Sequence, residues 1–229
     1  MNSINQPSTM LFNEDTVDLK SYFKKVYDDE AWLTKKYSDV ALSGAGSSKS
    51  ITTNLCNELA AIIQQYNIKN IVDCGCGSFN YLIPLVDFLY KNIYSYIGID
   101  IVDHIIDDNK KYSNNKFNFI IDDICSTDKI QNADLVICKE VLIHISTKLI
   151  FDFFRNLKNR NVKYVLISSF RNEKSPERVD GVSGLGALFK INLFTNPYNF
   201  GGPLEVITES DKSDDAKLYM WRVSELPDL

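Results

Sequence analysis

Between residues 70 and 169 the chain alternates short apolar runs with stretches of helical spacing, and that alternation constrains the fold more than any other feature of its 229 residues. The runs Asn70-Ile71-Val72-Asp73-Cys74, Tyr94-Ser95-Tyr96-Ile97-Gly98-Ile99-Asp100, Phe117-Asn118-Phe119-Ile120-Ile121, Ala133-Asp134-Leu135-Val136-Ile137-Cys138 and Lys163-Tyr164-Val165-Leu166-Ile167-Ser168-Ser169 are bounded by turn residues, as buried strands are. Helical spacing falls near 80–90, 103–113 and 147–158, between the strands. Strand and helix in alternation specify an α/β fold, a mostly parallel sheet with helices on both faces.

The flanks add to this frame. Residues 1–15 carry no periodic pattern, whereas Val17, Leu19, Tyr22, Phe23 and Val26 recur at helical steps over 16–27. A short loop Ser43-Gly44-Ala45-Gly46-Ser47-Ser48 leads to a second helix carrying Ile51, Leu55, Leu59, Ile62 and Ile63. After Ser169 the alternation stops, and residues 170–202 form a long connection over the sheet edge. Residues 203–208 and 217–223 then predict an antiparallel hairpin around a polar loop. The expected organisation is an N-terminal arm and helical cover over 1–48 and a domain over 49–229, one compact unit overall.

Composition excludes some partners. With 25 Lys+Arg against 30 Asp+Glu the net charge is -5, which gives no footprint for a phosphate backbone, so nucleic acid is not expected as a partner. No apolar stretch approaches the length of a membrane span, and the polar start lacks the pattern of a secretory signal, which predicts a cytoplasmic protein with no membrane partner. Five cysteines, an odd number, fit reduced thiols. Cys74 and Cys76 are too close for a relaxed bridge or a zinc knuckle, and with only His104 and His144 available no metal is expected. Monomer and homodimer both remain open.

The segment Ile71-Val72-Asp73-Cys74-Gly75-Cys76-Gly77-Ser78-Phe79-Asn80 runs a strand into closely spaced glycines, which lets backbone approach a ligand. In open parallel sheets ligands bind beyond the carboxyl ends of the strands, where this loop falls. The plain alternative is a tight turn with no ligand. Asp100 ends the second strand, where a carboxylate can accept from both ribose hydroxyls, and Asp122-Asp123 ends the third, within reach of an adenine amino group. A dinucleotide fingerprint requires a third glycine where Asn80 stands. Asp73, directly before the glycines, suits a cationic ligand better than a pyrophosphate. S-adenosylmethionine carries a sulfonium and an ammonium and no phosphate, so the electrostatics favour it.

At these residues the chain resembles the class I S-adenosylmethionine-dependent methyltransferases. The resemblance rests on Val72-Asp73-Cys74-Gly75-Cys76-Gly77, Gly98-Ile99-Asp100, Asp123-Ile124 and Ala133-Asp134-Leu135-Val136-Ile137-Cys138, and it covers roughly residues 50–223. It implies a Rossmann-like seven-stranded sheet with a C-terminal antiparallel hairpin. It also implies S-adenosyl-L-methionine held by Asp73, Gly75, Gly77, Asn80, Asp100, Ile101, Asp123, Ile124 and Lys139. Phe79 departs from the pattern, since many members carry a glycine there. The Ser43–Ser47 loop, Phe79-Asn80 and Asn192-Leu193 with Pro197 are similar to a bacterial and viral-type subgroup of the family. Backbone N–H groups and hydroxyls of the upstream loop, with Ser43, Gly44 and Gly46, could hold the cofactor carboxylate; an exposed connection is the plain alternative.

Methyl transfer is an in-line displacement, so alignment and exclusion of water carry most of the catalysis. A hydroxyl acceptor also gains from a general base. Lys139-Glu140-Val141-Leu142-Ile143-His144 follows the fourth strand, and in a helical turn Glu140 and His144 share a face. His144, of a residue type that titrates near neutrality, is the candidate base with Glu140 beside it; a structural histidine among apolar neighbours is the alternative. The Asp/Asn-Pro-Pro-Tyr tetrapeptide of nucleic-acid amino-methylating enzymes is absent. Arg171, Arg178, Lys190, Asn192, Tyr198 and Asn199 in the 170–202 connection suit a hydroxyl-rich acceptor; surface solubility is the plain alternative for most of them. The expected reaction is methyl transfer to a small molecule or glycan, foremost O-methylation of a sugar. The alternatives are N-methylation of a small amine or amino sugar, an NAD-dependent oxidoreductase, and a non-catalytic adenosyl-binding module.

Overall fold

The structure is a computed structural model and describes residues 18–33, 42–172, 189–208 and 216–229. Seven strands form one sheet in the order β3-β2-β1-β4-β5-β7-β6: β1 (Asn70–Cys74), β2 (Ser95–Asp100), β3 (Phe117–Ile121), β4 (Leu135–Cys138), β5 (Tyr164–Phe170), β6 (Glu205–Thr208) and β7 (Ala216–Arg222). The first five pair in parallel, and β7 runs antiparallel to both β5 and β6. The strands fall where their apolar runs stand, because a sequence that is apolar on both sides can only be satisfied between two covered faces.

Alternation along each strand divides the core. Val72, Val136, Val165 and Ile167 face a layer built on α5 (Thr147–Asn159) and the segment carrying Ile191, Leu193 and Phe200. Ile71, Leu135, Ile137 and Leu166 face the other layer, with Leu55, Leu59 and Ile63 of α2 (Lys49–Gln65) and Leu89 of α3 (Val86–Asn92). α4 (Asp103–Asn109) follows β2 directly. α1 (Leu19–Asp28) begins three residues after the start of the 16–27 helical stretch, at the Asp18 cap that accepts from Lys20 N; residues 1–17 lie outside the described set.

At the amino ends of the strands Asp134 ties three of them together. Its Oδ2 accepts from Lys69 N at 3.0 Å and Asn70 N at 2.9 Å, and its Oδ1 from the Lys163 ammonium. The opposite, carboxyl ends are therefore the open side. Chain order reverses between β1 and β4, the place in a doubly wound sheet where a crevice forms.

The stretch read as one helix over 80–90 is two pieces. A 3-10 segment Asn80–Leu85 precedes α3, and Pro84 within it lacks the N–H an α-helix would need. Phe79 enters it at φ 61°, left-handed for a residue with a Cβ. Its ring is fully buried and meets Tyr96, Tyr112 and Phe119 at centroid distances of 5.3, 5.3 and 5.1 Å. Ring burial thus offsets a backbone strain of about 1–2 kcal/mol. Removing the ring should cost about 3–5 kcal/mol, yet Phe79→Gly should unfold in urea at higher concentration than Phe79→Ala, because only glycine also relieves the strain.

Candidate functional site

A cavity of about 520 Å³ opens at the carboxyl ends of β1, β2 and β4. Gly75 and Gly77 reach it with φ of 79° and 50°. Both amides at the start of the loop are anchored on β2, Gly75 N and Cys76 N donating to Ile99 O at 2.8 and 2.9 Å. Asn109 of α4 holds the far side by donating to Gly77 O at 2.7 Å. A Cβ on Gly77 would overlap the Ser43 side chain, so the two loops meet through bare backbone. Ser43 Oγ accepts from Ser78 N at 2.7 Å and lies 3.2 Å from the Tyr27 hydroxyl.

Asp100 ends β2 on the cavity wall. Gly77 N donates to its Oδ2 at 3.0 Å and Val102 N to its Oδ1 at 3.1 Å. Ile101 N also bears on the carboxylate, so of its about four lone-pair sites at least one is left for a ligand hydroxyl. Burial pushes this carboxyl above its usual range, against the pull of those backbone donors. Asp123 bends its own loop, accepting from Cys125 N at 2.8 Å, while Asp122 takes the Thr127 hydroxyl at 2.6 Å.

After β4 the chain turns sharply. Glu140 has φ 55°, a strained conformation for glutamate, and is fixed by its N–H donating to Ser168 Oγ at 3.0 Å and its Oε2 accepting from Lys139 Nζ at 3.0 Å. Lys139, whose side chain is 3% exposed, also donates to Gly46 O at 3.0 Å. One buried ammonium thus joins the upstream loop to the residue after β4. A Cβ on Gly46 would overlap the Glu140 carboxylate, so the close approach requires glycine. The Lys139 charge holds Glu140 below the usual glutamate range, leaving it ionised. His144 closes a short 3-10 turn, Leu142–His144, and stacks on Trp32 at 4.9 Å with Phe23 edge-on at 6.2 Å.

Of the residues expected at the site, Ser43, Gly44, Gly46, Gly75, Gly77, Asp100, Ile101, Asp123, Ile124, Lys139, Glu140 and His144 all line the cavity. Asp73 and Asn80 do not. Asn80 starts the 3-10 segment and is carried away from the cavity by the left-handed turn at Phe79. Asp73 is wholly buried behind Tyr81, with the hydroxyls of Tyr81 and Tyr96 both donating to its Oδ2 at 2.7 Å. Its Oδ1 is buried with no hydrogen-bond partner among the described residues. Arg178 lies outside the described residues, and Asn192 is spent on loop structure, donating to Arg171 O and accepting from Phe194 N. Sequence reasoning did not foresee the roof, formed by Phe23, Tyr27 and Trp32 from α1 and the turn after it.

The charge of the lining is decisive for ligand class. Among the described residues the cavity carries the carboxylates of Asp100, Asp122, Asp123 and Glu140 against the one ammonium of Lys139. A pyrophosphate would be repelled there, whereas a ligand bearing cationic groups and a nucleoside fits the acceptors present. No described side chains cluster as metal ligands, and no described helix is long and apolar enough to cross a membrane.

No protein-family model matches the sequence, and no curated protein matches it. Solved structures do share its architecture, which is the fold of class I S-adenosylmethionine-dependent methyltransferases. A magnesium protoporphyrin IX methyltransferase from Synechocystis PCC 6803, with bound SAH, aligns at TM-score 0.59 and 13% identity over 89% of this chain and 97% of its own. The Burkholderia thailandensis 1,6-didemethyltoxoflavin-N1-methyltransferase aligns at TM-score 0.58 and 12% identity, covering 96% and 92%. An S-adenosylmethionine-dependent methyltransferase from Clostridium acetobutylicum aligns at TM-score 0.51 and 11% identity, covering 74% and 90%. Likenesses at this identity establish the seven-stranded fold with its antiparallel hairpin.

Asp73 makes the site costly to fold. Its carboxyl is raised from 3.8 to about 6, foremost by burial. The folded chain therefore holds a proton that the unfolded chain loses near pH 4, and stability falls by about 3 kcal/mol as pH rises through that window. In thermal unfolding, the stability of Asp73→Asn relative to wild type should rise as pH increases from about 4 to about 6, and level off above that.

Proposed function

We propose that this protein is an S-adenosylmethionine-dependent methyltransferase that methylates an oxygen of a small-molecule acceptor. The observation that carries the reading is the Asp100 carboxylate, buried at the end of β2 yet with acceptor capacity beyond its backbone donors, facing a cavity whose lining is predominantly anionic. Asp100 would receive the two ribose hydroxyls. Ile101 and Ile124 supply apolar surface for the adenine, and Asp123 an acceptor for its amino group. The Gly75 and Gly77 backbone and the loop over Ser43, Gly44 and Gly46 border the amino-acid end, with the field of Asp73 beneath. Neighbours of the same fold have SAH or S-adenosylhomocysteine bound, which supports this cofactor.

Bound S-adenosylmethionine supplies an electrophilic methyl on a sulfonium. The chain's own residues align the acceptor, exclude water under the aromatic roof and take its proton. His144 lines the cavity beside Glu140 and would receive the hydroxyl proton as the oxygen–methyl bond forms and the carbon–sulfur bond breaks. The Lys139 charge holds Glu140 below the usual glutamate range, which weakens it as a base. Its permanent negative charge instead favours the imidazolium that His144 becomes. The sugar acceptor expected from the 170–202 connection draws on residues of which 173–188 lie outside the described set.

Calorimetry separates the enzyme classes. S-adenosylmethionine should bind and NAD should not, and Asp100→Ala should weaken cofactor binding by more than about tenfold, since two hydrogen bonds of about 1 kcal/mol each are lost. Tight binding of NAD without S-adenosylmethionine would overturn the reading. In methyl transfer from labelled cofactor, His144→Gln should lower turnover by about a hundredfold or more and flatten the acid limb of the pH profile. Full activity of that variant across pH 6–9 would return His144 to a structural role.

A further inference from the structure

Three of the four carboxylates in the cavity wall fall on one side of the sheet. Asp100 ends β2, and Asp122 and Asp123 follow β3, where the ribose and the adenine would rest. Glu140 follows β4 and stands apart from them. β1 pairs with β2 on one side and β4 on the other, and neighbouring strands lie about 4.8 Å apart, so the exit of β4 is about 10 Å from that of β2. A chain leaving the ribose away from the base crosses the Gly75–Gly77 loop at the end of β1 and arrives at Glu140. In S-adenosylmethionine that chain ends in an ammonium and a carboxylate. Asp73 is not placed to touch the ammonium, because it is wholly buried behind Tyr81 and does not line the cavity.

The turn at Glu140 is built to hold a charge in this place. Its backbone keeps a left-handed φ of 55°, a conformation that persists where neighbours fix it, and the Ser168 hydroxyl does so by accepting from Glu140 N at 3.0 Å. The side chain is 31% exposed and borders the upstream loop so closely that an added Cβ on Gly46 would overlap Oε2. The Lys139 ammonium, 3.0 Å from Oε2, occupies one of the carboxylate's about four acceptor sites and keeps the group ionised. An ammonium gains most from an ionised, partly buried acceptor of this kind, since hydrogen bonds between charged partners are about twice as strong as neutral ones.

Resting on the methyltransferase reading above, we infer that Glu140 receives the α-ammonium of the cofactor's methionine moiety, so that its carboxylate selects ligands with a cationic amino-acid end. The cofactor's own carboxylate arrives with that ammonium, and the zwitterion leaves the net charge beside His144 unchanged.

The test is calorimetry of the full chain with S-adenosylhomocysteine and with its deaminated analogue, which keeps the thioether and the carboxylate and carries hydrogen in place of the ammonium. Wild type should bind the analogue about tenfold or more weakly. Glu140→Gln should weaken S-adenosylhomocysteine by about tenfold or more and leave the analogue unchanged or tighter, because the Lys139 charge then faces the analogue's carboxylate without an opposing anion. Glu140→Gly, which accepts the left-handed φ without strain, should repeat that result and guards against a folding defect. Equal wild-type affinity for the two ligands, S-adenosylhomocysteine affinity unchanged in both variants, or equal losses for both ligands, as a purely structural turn would give, would each overturn the proposal. A wild-type chain that binds S-adenosylhomocysteine yet fails these comparisons loses only the Glu140 assignment, whereas one that binds neither ligand loses the methyltransferase reading itself.

Discussion

A carboxylate buried at the carboxyl end of β1 sets the terms for everything above it. Asp73 has no exposed surface, and both of its hydrogen-bonding tyrosines converge on a single oxygen. Tyr96 comes from β2 and Tyr81 from the 3-10 segment, so one anion ties the first strand pair to the chain that leaves the glycine loop. A group this costly to bury persists where surrounding structure over-determines it, and here the two hydroxyls and the nearby Lys139 ammonium partly compensate the charge. The same arrangement makes the floor of the cavity negative, and with Asp100, Asp122 and Asp123 at the neighbouring strand ends it gives the site one electrostatic character. Fold and ligand preference therefore arise from the same residues.

Lys139 carries that logic to the other side of the cavity. It donates to both Gly46 O and Glu140, so a loop preceding α2 and the turn following β4 are held by one charge 93 residues away in sequence from the first of them. The strain at Glu140 belongs to this junction. A glutamate in the left-handed region is unfavourable in isolation, and it is retained where an ion pair, a Ser168 hydrogen bond and a glycine at closest approach all fix it.

Much of this was legible in the residues. The strands are apolar on both faces, a pattern that short buried strands alone satisfy, and they lie within two residues of their runs. The acidic strand ends Asp100, Asp122 and Asp123 and the paired glycines Gly75 and Gly77 do line the cavity. Asn80 does not line the cavity: Phe79, which stands where many members of the resembled family carry a glycine, takes a left-handed turn and buries its ring. Asp73 was read as a direct contact because sequence gives no sign that Tyr81, eight residues on, would cover it. The aromatic roof stayed hidden for a more general reason. Phe23 and Tyr27 on α1 recur at four-residue spacing whether a helix faces a core or a cavity, and only the placement of α1 decides between them.

Phe79 has a consequence for what ligand binding must supply. A loop shaped by glycines alone samples many conformations, and ordering it would be charged against affinity. Here the residue that turns the loop is anchored by its ring among Tyr96, Tyr112 and Phe119, so the loop's shape is fixed when the sheet and its covering layer assemble. The loop's conformation is thus held by ring packing among residues that do not line the cavity.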